Sequence, residues 1–421
     1  MVKNKDKRRE RPLDTPLMPY EEALEKVMNA ALAKLGTETV SVKSALGRVL
    51  RENVKAGFDI PPFDKSAMDG YALRSEDSRG ASADKPVRLE VLEDLPAGKT
   101  SGLKLKSGQA VRIMTGAPLP AGADAVVKVE DTRGEAAGFV DIAKEVRPGD
   151  NSGRAGEDVQ KGRTVLSAGT RVSAAVMGML AAMGRQDALV SRRQRTAIIS
   201  TGDEVQMPGK ELRPGAIYDA NGYSLLGLCR EHGCRAEFLG IARDRPGALD
   251  KKLSRARDAD VVLLSGGVSV GDYDFVLDLL QDKGYKEVFY KAAIKPGKPT
   301  FAGKRGSQLV FGLPGNPVSA MVCFHLFVRP VLDKISGRSE HGMRKGRAIM
   351  AGEVRTKAGR RKFLRGKLVS SGPCLEVKTY HDQKSGVLSS MLDADVLIDV
   401  PGERTVVESG SEVDVWRLRE D

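Results

Sequence analysis

Two short segments of this chain place small residues where an anion-binding loop needs them. Ser265, Gly266 and Gly267 end an apolar run, and the loop from Pro314 to Pro317 follows a second one, QLVFGL. Small residues leave backbone N–H groups open to an anion, and a helix that follows adds the positive end of its dipole. We predict a phosphate or oxyanion site at both, although a stiff strand–helix connection is the alternative interpretation. The predicted phosphate-binding residues are Ser265, Gly266, Gly267, Ser269, Pro314, Gly315, Asn316, Pro317 and Ser319.

Three lysines surround a Pro-Gly turn between these two loops. Lys291, Lys295 and Lys298 lie in the segment KAAIKPGKPT, where proline and glycine fix the direction of the turn. A lysine ammonium is a compact point charge, which suits a small oxyanion. The segment therefore predicts an oxyanion site, and a solvated basic turn is the alternative.

Carboxylates follow two of the predicted strands. Asp272 and Asp274 come shortly after the Ser-Gly-Gly loop, and Glu204 belongs to STGDE, after the strand TAIIST. Asp272 and Asp274 suit a hydrated Mg²⁺ ion that bridges phosphates, and Glu204 suits a metal ion or the ribose of a nucleotide. Helix or turn capping is the competing interpretation for both motifs. We predict Asp272, Asp274 and Glu204 as metal ligands.

Three turn motifs nearer the N-terminus carry further polar side chains. They are PPFDKSAMDGYA with Asp69, RIMTGAPLP with Thr115, and RAGED with Asp158. Each motif is weak by itself, because such residues are also typical of ordinary turns.

Two common kinds of active site are excluded by what the chain lacks. The four histidines lie outside these loops, and there is no Gly-x-Ser-x-Gly, no Walker P-loop and no Gly-x-Gly-x-x-Gly after a strand. A hydrolase triad and a dinucleotide-binding fold are thereby excluded. The remaining interpretation is metal-assisted chemistry on a phosphorylated or oxyanionic ligand.

The elements that must position these residues fall into several regions. Residues 196–335 alternate strand and helix, which predicts a parallel sheet covered on both faces, with ligands at the carboxyl ends of its strands. Short β runs from Val54 to about Val165 predict a small all-β module. Helices are expected over Met18–Leu35 and Ser173–Met183, and the last 80 residues are expected to form a barrel or a sandwich.

Composition narrows the class of protein further. The 421 residues are enough for three or four domains, and no run of apolar residues is long enough to span a membrane. The net charge of +12 attracts anions, but without nucleic-acid motifs a small anionic substrate explains it at least as well. Four cysteines without a disulfide or zinc spacing predict a reduced, cytoplasmic protein, and residues 1–16 are expected to be a disordered basic tail.

Seven motifs taken together resemble one family. PPFDKSAMDGYA, RIMTGAPLP, RAGED, STGDE, SGGVSVGDYDF, IKPGKP and LPGNPVSA occur in the order found in the bacterial MoeA family. These are molybdopterin molybdenumtransferases, related to the E domain of gephyrin and to its plant counterpart. The resemblance covers about residues 17 to 421.

The resemblance implies a multidomain α/β plus β architecture. Its parts are a MogA-like three-layer α/β domain, a barrel-like β insertion, a small two-segment linker domain and a C-terminal β domain. The expected boundaries are 17–36 with 194–338 for the α/β domain, 37–55 with 163–193 for the linker domain, 56–162 for the insertion and 339–421 for the C-terminal domain.

The resemblance also implies a reaction and its residues. Molybdate would be inserted into adenylylated molybdopterin with Mg²⁺-dependent release of AMP. An elongated homodimer would form each active cleft from two subunits, and a MogA-like adenylyltransferase is a candidate partner. The matching catalytic positions are Asp69, Thr115, Asp158, Glu204, Asp244 and Asp274. The matching molybdate positions are Lys291, Lys295, Lys298 and, by looser motifs, Arg365 and Ser385.

Three other functions compete with this one. A MogA-type adenylyltransferase would share the α/β chemistry, but that smaller family lacks the β insertion and the C-terminal domain. A non-catalytic scaffold would bind molybdopterin without catalysing a reaction. A nucleic-acid binder rests on the net charge alone.

Overall fold

The computed structural model describes residues 16–31, 35–267, 275–371 and 374–419. Within those ranges, no helix combines the length and the apolar character needed to cross a membrane. Short 3₁₀ turns lie at Val42–Ser44, Ser75–Ser78, Val129–Asp131 and Leu388–Met391.

The first half of the chain consists mostly of short strands. In chain order its elements are α1 (Tyr20–Ala30), β1 (Thr37–Ser41), β2 (Val54–Lys55), β3 (Lys65–Ser66), β4 (Gly70–Leu73), β5 (Val87–Leu95), β6 (Gln109–Ile113), β7 (Ala125–Lys128), β8 (Thr132–Ala136), β9 (Phe139–Ile142), β10 (Ser152–Gly153), β11 (Thr164–Leu166), α2 (Ala174–Ala182) and β12 (Asp187–Ser191). The predicted helix at the N-terminus is therefore shorter than its sequence pattern.

The β insertion is a six-stranded mixed sheet in the order β7-β4-β6-β5-β9-β8. Its neighbouring strands are antiparallel except for the parallel pair β5 and β6. Successive residues of a strand point to opposite faces, and here both faces are buried. Ala110 and Val127 pack into one apolar cluster, while Val111 and Val126 pack into another. The predicted all-β module is present.

A small region flanks the insertion in sequence. β1 pairs antiparallel with β12, and β2 pairs antiparallel with β11. The Ser173 side chain accepts a hydrogen bond from the Val176 N–H, which confirms the predicted N-cap of α2. Leu50, Leu180 and Val190 form part of its core. The domain boundaries given above remain predictions.

The α/β region carries most of the helices. Its elements are β13 (Arg195–Thr201), β14 (Val205–Gln206), β15 (Ile217–Tyr218), α3 (Asn221–Glu231), β16 (Arg235–Ala242), α4 (Pro246–Arg255), β17 (Val261–Ser265), α5 (Phe275–Asp282), β18 (Lys286–Tyr290), β19 (Ile294–Lys295), β20 (Phe301–Arg305), β21 (Gln308–Leu313), α6 (Pro317–Cys323) and α7 (Arg329–Ser336), with a π-helical turn at Phe324–Val328.

The central sheet has the order β16-β13-β17-β21-β20-β18. Its two faces bury different clusters. Leu263 packs with α3, α6 and α7, whereas Leu264 packs with α4 and α5. This is the three-layer arrangement that the sequence predicts.

The expectation of a purely parallel sheet is wrong at one edge. β16, β13, β17 and β21 are parallel, but β20 is antiparallel to both β21 and β18. Only a turn at residues 306–307 separates β20 from β21, with Arg305 paired to Gln308. So short a connection can join only antiparallel strands.

The C-terminal region is a closed barrel. Its strands are β22 (Lys345–Met350), β23 (Val354–Arg355), β24 (Arg361–Ser371), β25 (Cys374–Thr379), β26 (Val396–Val400), β27 (Val406–Val407) and β28 (Glu412–Arg417). The pairings β24-β25-β22-β28-β26-β24 return to the first strand, so five strands close on themselves. Leu364, Val377 and Ile398 fill the interior. Of the two predicted forms, the barrel is the one that occurs.

The barrel is joined to the α/β region through the lysine segment. β19 pairs in parallel with β24, matching Ile294 with Arg361 and Lys295 with Lys362. The Tyr20 ring of α1 stacks at an angle against Phe363 of the barrel, with ring centroids 5.5 Å apart. The lysine segment is therefore held between the two regions.

Candidate functional site

The two glycine-containing loops lie side by side at the carboxyl edge of the central sheet. The Gly266 N–H donates to the Leu313 carbonyl at 3.0 Å, and Thr201 Oγ1 donates to the Ser265 carbonyl at 3.2 Å. Gly266 has φ +88°, and a Cβ at this position would lie 2.9 Å from Thr201 Oγ1. Glycine is required here, because the ends of β13 and β17 come so close together.

Asn221, at the start of α3, bridges both loops. Its Nδ2 donates to Ser265 Oγ and to the Gly315 carbonyl, each at 2.7 Å. Its Oδ1 is buried and accepts no hydrogen bond from the described residues. Sequence reasoning missed this residue. The sequence Asp219-Ala-Asn before an apolar helix could have drawn attention to it, because such residues are typical of a helix start. In the structure, Asp219 Oδ1 accepts a hydrogen bond from the Gly222 N–H at 2.8 Å.

The lysine segment turns above a buried thiol. Thr300 Oγ1 donates to the Gly297 carbonyl at 2.7 Å and lies 3.0 Å from Cys323 Sγ. Gly297 has φ +114°, and a Cβ there would collide with Cys323 Sγ. Burial raises the pKa of the Cys323 thiol to about 12, so the sulfur stays protonated and uncharged. These contacts fix the turn from below.

The three predicted lysines differ in exposure. Lys295 is exposed and Lys298 is half-buried. Lys291 is buried, has φ +60°, and places its Nζ 5.0 Å from the centre of the Tyr290 ring. Two lysines are therefore accessible at the turn, and the third lies beneath the surface.

A loop of the barrel reaches the second glycine-containing loop. Asn316 Nδ2 donates to Ser385 Oγ at 3.0 Å, and the Val318 N–H donates to the Ser385 carbonyl at 3.2 Å. The structure thereby brings together Asn316 and Ser385, which are 69 positions apart in sequence. The site is built from both regions.

Arg365 supports that barrel loop from within. It is fully buried, and its guanidinium donates to Ser390 Oγ and to the carbonyls of residues 382, 383 and 384 at 3.0–3.1 Å. Burial lowers the pKa of Arg365 to about 10, which leaves it protonated at neutral pH. Its visible contacts position the loop that carries Ser385.

Carboxylates cluster beyond the end of β13. The Asp203 N–H donates to Asp244 Oδ2 at 3.3 Å, and the Asp244 N–H donates to Asp203 Oδ1 at 3.4 Å. Burial raises the pKa of Asp244, and the charges of Asp203 and Glu204 add to the rise. Among the described residues no group of three or more such side chains has the arrangement of a metal site. The predicted residues Ser269, Asp272 and Asp274 lie outside the described residues.

Asp69 and Thr115 meet in the β insertion. Asp69 Oδ1 accepts the Thr115 N–H at 2.8 Å and the Thr115 hydroxyl at 2.7 Å. These two hydrogen bonds hold the pKa of Asp69 below its ordinary value, with the backbone donor as the larger cause. Asp158 is exposed, and its N–H donates to the Ile60 carbonyl at 3.1 Å. No hydrogen bond or ion pair between described residues joins these three to the loops of the α/β region.

Three family models match the chain in order. They are the MoeA N-terminal region (domain I and II) at residues 18–184, the probable molybdopterin binding domain at 197–334, and the MoeA C-terminal region (domain IV) at 347–418. Molybdopterin molybdenumtransferase 2 of Mycobacterium tuberculosis is 39% identical over 386 residues, which is 90% of this chain and 95% of that protein. The chain belongs to the MoeA family.

Other MoeA-type proteins agree in sequence and in structure. The molybdopterin molybdenumtransferase of Bacillus subtilis is 35% identical over 423 residues, covering 97% of this chain and 95% of that protein. The crystal structure of the molybdopterin biosynthesis MoeA protein from Pyrococcus horikoshii OT3 superposes with a TM-score of 0.82 at 31% identity. The superposition covers 96% of this chain and 100% of the Pyrococcus horikoshii chain. The resemblance and the fold class predicted from the sequence are confirmed.

The substitution Thr115→Val tests the contact between Thr115 and Asp69. It removes the hydroxyl donor and leaves the backbone N–H, so the pKa of Asp69 should rise toward its ordinary value. Carbon-detected NMR titration of the protein labelled at aspartate carboxyls measures this change. Thr132→Val, which removes a hydroxyl elsewhere in the insertion, serves as the control. An unchanged pKa in Thr115→Val would contradict the assignment.

Proposed function

We propose that this chain is a molybdopterin molybdenumtransferase. The dithiolene sulfurs of adenylylated molybdopterin displace oxygens of molybdate, which leave as water, and hydrolysis of the phosphoanhydride by water releases AMP. The proposal rests mainly on the hydrogen bond between Asn316 and Ser385, which joins a barrel loop to the second glycine-containing loop. The lysine turn lies next to β19, which pairs with the barrel strand β24. The names of the relatives support the same reaction class.

The proposed roles follow from the type and exposure of each group. The backbone N–H groups of Gly267 and Gly315 are the donors we assign to phosphate oxygens, whereas the predicted Gly266 only shapes the loop because its N–H is bound to the Leu313 carbonyl. Lys295, Lys298 and the Ser385 hydroxyl are accessible at the turn and in the barrel loop, and we assign them to molybdate. Lys291 contributes positive charge from beneath, and Arg365 holds the loop of Ser385. When molybdate, a dianion, binds among these groups, their fixed positive charges and donors replace the water that surrounded it.

The carboxylates of Glu204 and Asp244 fit a Mg²⁺ ion by their chemistry. Both are hard oxygen donors. Burial is the main cause of the raised pKa of Asp244, and the nearby charges of Asp203 and Glu204, which a cation would offset, raise it further. We propose these two, with Asp272 and Asp274 of the sequence motif SGGVSVGDYD, as the residues that hold the metal. When bound, the metal would neutralise charge on the pyrophosphate. The protein's part is to place Glu204 and Asp244 just beyond the ends of β13 and β16.

A shared cleft explains why Asp69, Thr115 and Asp158 lie apart from the loops. The surface next to Asp69 carries Phe63 and Met68, each 41% exposed, as an apolar surface suited to another protein chain. We propose a homodimer in which this surface and Asp69 complete the partner's cleft. A MogA-like adenylyltransferase is the proposed supplier of substrate. The proposed compartment is the cytoplasm, since all four cysteines are free thiols.

The reaction is tested by measuring AMP release from adenylylated molybdopterin with Mg²⁺, with and without micromolar molybdate. Release should depend on molybdate, and Lys298→Gln should lower kcat/KM for molybdate on the order of 100-fold through loss of one preorganised cation. Lys99→Gln, an exposed lysine of the insertion, is the matched control. Consumption of ATP with free molybdopterin would indicate an adenylyltransferase instead. No release by a folded protein would favour a scaffold.

The shared cleft predicts complementation between inactive subunits. Asp69→Asn and Lys298→Gln subunits are each expected to have strongly reduced activity alone. Mixed dimers should regain up to about half of the wild-type sites, because one cleft per dimer then receives both intact residues. Turnover of the mixture, with subunit exchange verified by native mass spectrometry, measures this. Exchange without recovered activity would mean that each cleft belongs to a single chain.

A further inference from the structure

A buried lysine lies beside the lysine turn, on the strand pair that joins the barrel to the α/β region. Lys362 of β24 is only 5% exposed, and its register partner on β19 is Lys295. Register partners of a parallel pair project to the same face of the sheet, so the two side chains leave the junction on one side. None of the roles assigned above uses Lys362.

An ammonium group is costly to bury, and its contacts offset little of that cost. Lys362 Nζ donates to the Arg360 carbonyl at 3.1 Å, and no ion pair to Lys362 occurs among the described residues. An ammonium has three N–H donors, so this carbonyl satisfies only one of them. An apolar side chain of similar length would avoid the cost of burying a charge at this position.

Other cations surround Lys362. Arg360 is half-buried, and its Nη1 donates to the Ile294 carbonyl at 3.3 Å, next to Lys295. Burial lowers the pKa of Lys362, and the charges of Lys295 and Arg360 lower it further, against the opposing charge of the exposed Glu403. Within the described ranges Lys295 and Arg360 form no ion pair either. Positive charges therefore repel one another at the start of the lysine turn.

An anion bound at Lys295 would relieve this repulsion. It would offset the charges that disfavour the ammonium form of Lys362. Coupling between two binding events is reciprocal, so the charge of Lys362 must strengthen the binding of the anion by the same factor. Direct contact is not required, because a Coulomb interaction near the protein surface acts over several ångströms.

We propose that Lys362 sets the charge preference of the oxyanion site: its buried ammonium acts through space on an anion at Lys295 and favours a tetrahedral dianion over a monoanion of the same shape. The inference rests on the proposed function for the identity of that dianion as molybdate. Lys362 is thus a specificity-determining residue that does not touch the ligand.

The test is isothermal titration of the full chain with molybdate and with perrhenate, a tetrahedral monoanion of similar size. Lys362→Met removes the charge and keeps the length of the side chain. It should weaken perrhenate binding about threefold and molybdate binding about tenfold, because a Coulomb energy is proportional to the charge of the ligand. Lys362→Arg keeps the charge and should retain most of the affinity for molybdate.

Lys367→Met is the matched control, because it makes the same substitution on the same strand. Lys367 is exposed and lies about 17 Å further along β24, beyond the reach of an unscreened interaction with Lys295. This variant should bind both anions as the wild type does. Equal affinities in Lys362→Met and Lys367→Met would overturn the proposal.

Thermal unfolding distinguishes the proposed role from a structural one. Lys362→Met should leave Tm unchanged or raise it, because methionine avoids the burial of an ammonium. If Lys362 were structural, the substitution would lower Tm and weaken both anions by the same factor, which would contradict a charge preference. A loss of molybdate affinity in Lys362→Arg as large as that in Lys362→Met, at unchanged Tm, would contradict it as well.

Failure of this inference can be distinguished from failure of the proposed reaction. If the anions bind with the expected pattern but no AMP is released from adenylylated molybdopterin, the charge preference stands and the reaction is rejected. If AMP release depends on molybdate but Lys362→Met binds both anions as the wild type does, the reaction stands and the role of Lys362 is rejected. Binding of neither anion by the wild-type chain would also reject the role of Lys362.

Discussion

The geometry of the candidate site depends on the pairing between the barrel and a strand of the α/β region. β19 belongs in sequence to the α/β region but pairs with β24 of the barrel, through Ile294 with Arg361 and Lys295 with Lys362. The lysine turn follows at once, so its position is set by both regions. The hydrogen bond from Asn316 to Ser385 fastens the second loop to the same barrel. Movement of the barrel would therefore change the geometry of the whole candidate site.

Buried polar groups make this arrangement specific. Asn221 holds two loops with one side-chain amide, and Arg365 satisfies three carbonyls and a hydroxyl of the loop that carries Ser385. Removing one member of such a network leaves its partners buried without hydrogen bonds, which costs about 1–3 kcal/mol for each neutral group. The loops are thereby held in one conformation before substrate arrives, which is the condition for electrostatic stabilisation of a transition state.

Much of this was predictable because local patterns specify local structure. The glycine loops fall at strand ends and the N-cap at Ser173 forms, since the residue types determine these features directly. The antiparallel β20 was missed because FAGKR has little strand character. Asn221 was missed because an asparagine before a helix is usually a cap. The family resemblance implied that Arg365 binds molybdate, whereas its hydrogen bonds in the structure go to the barrel loop that carries Ser385. Long-range contacts of this kind depend on tertiary packing, which no short motif encodes.

We propose that the barrel and the α/β region build one molybdate site together. A double-mutant cycle of Asn316→Ala and Ser385→Ala, read out as molybdate affinity by isothermal titration, tests the hydrogen bond that joins them. Residues that act as one unit should show an interaction energy of about 0.5–3 kcal/mol, with the double variant little weaker than either single variant. Effects that add within about 0.5 kcal/mol would contradict a shared site, because they would mean that the two regions affect molybdate binding independently.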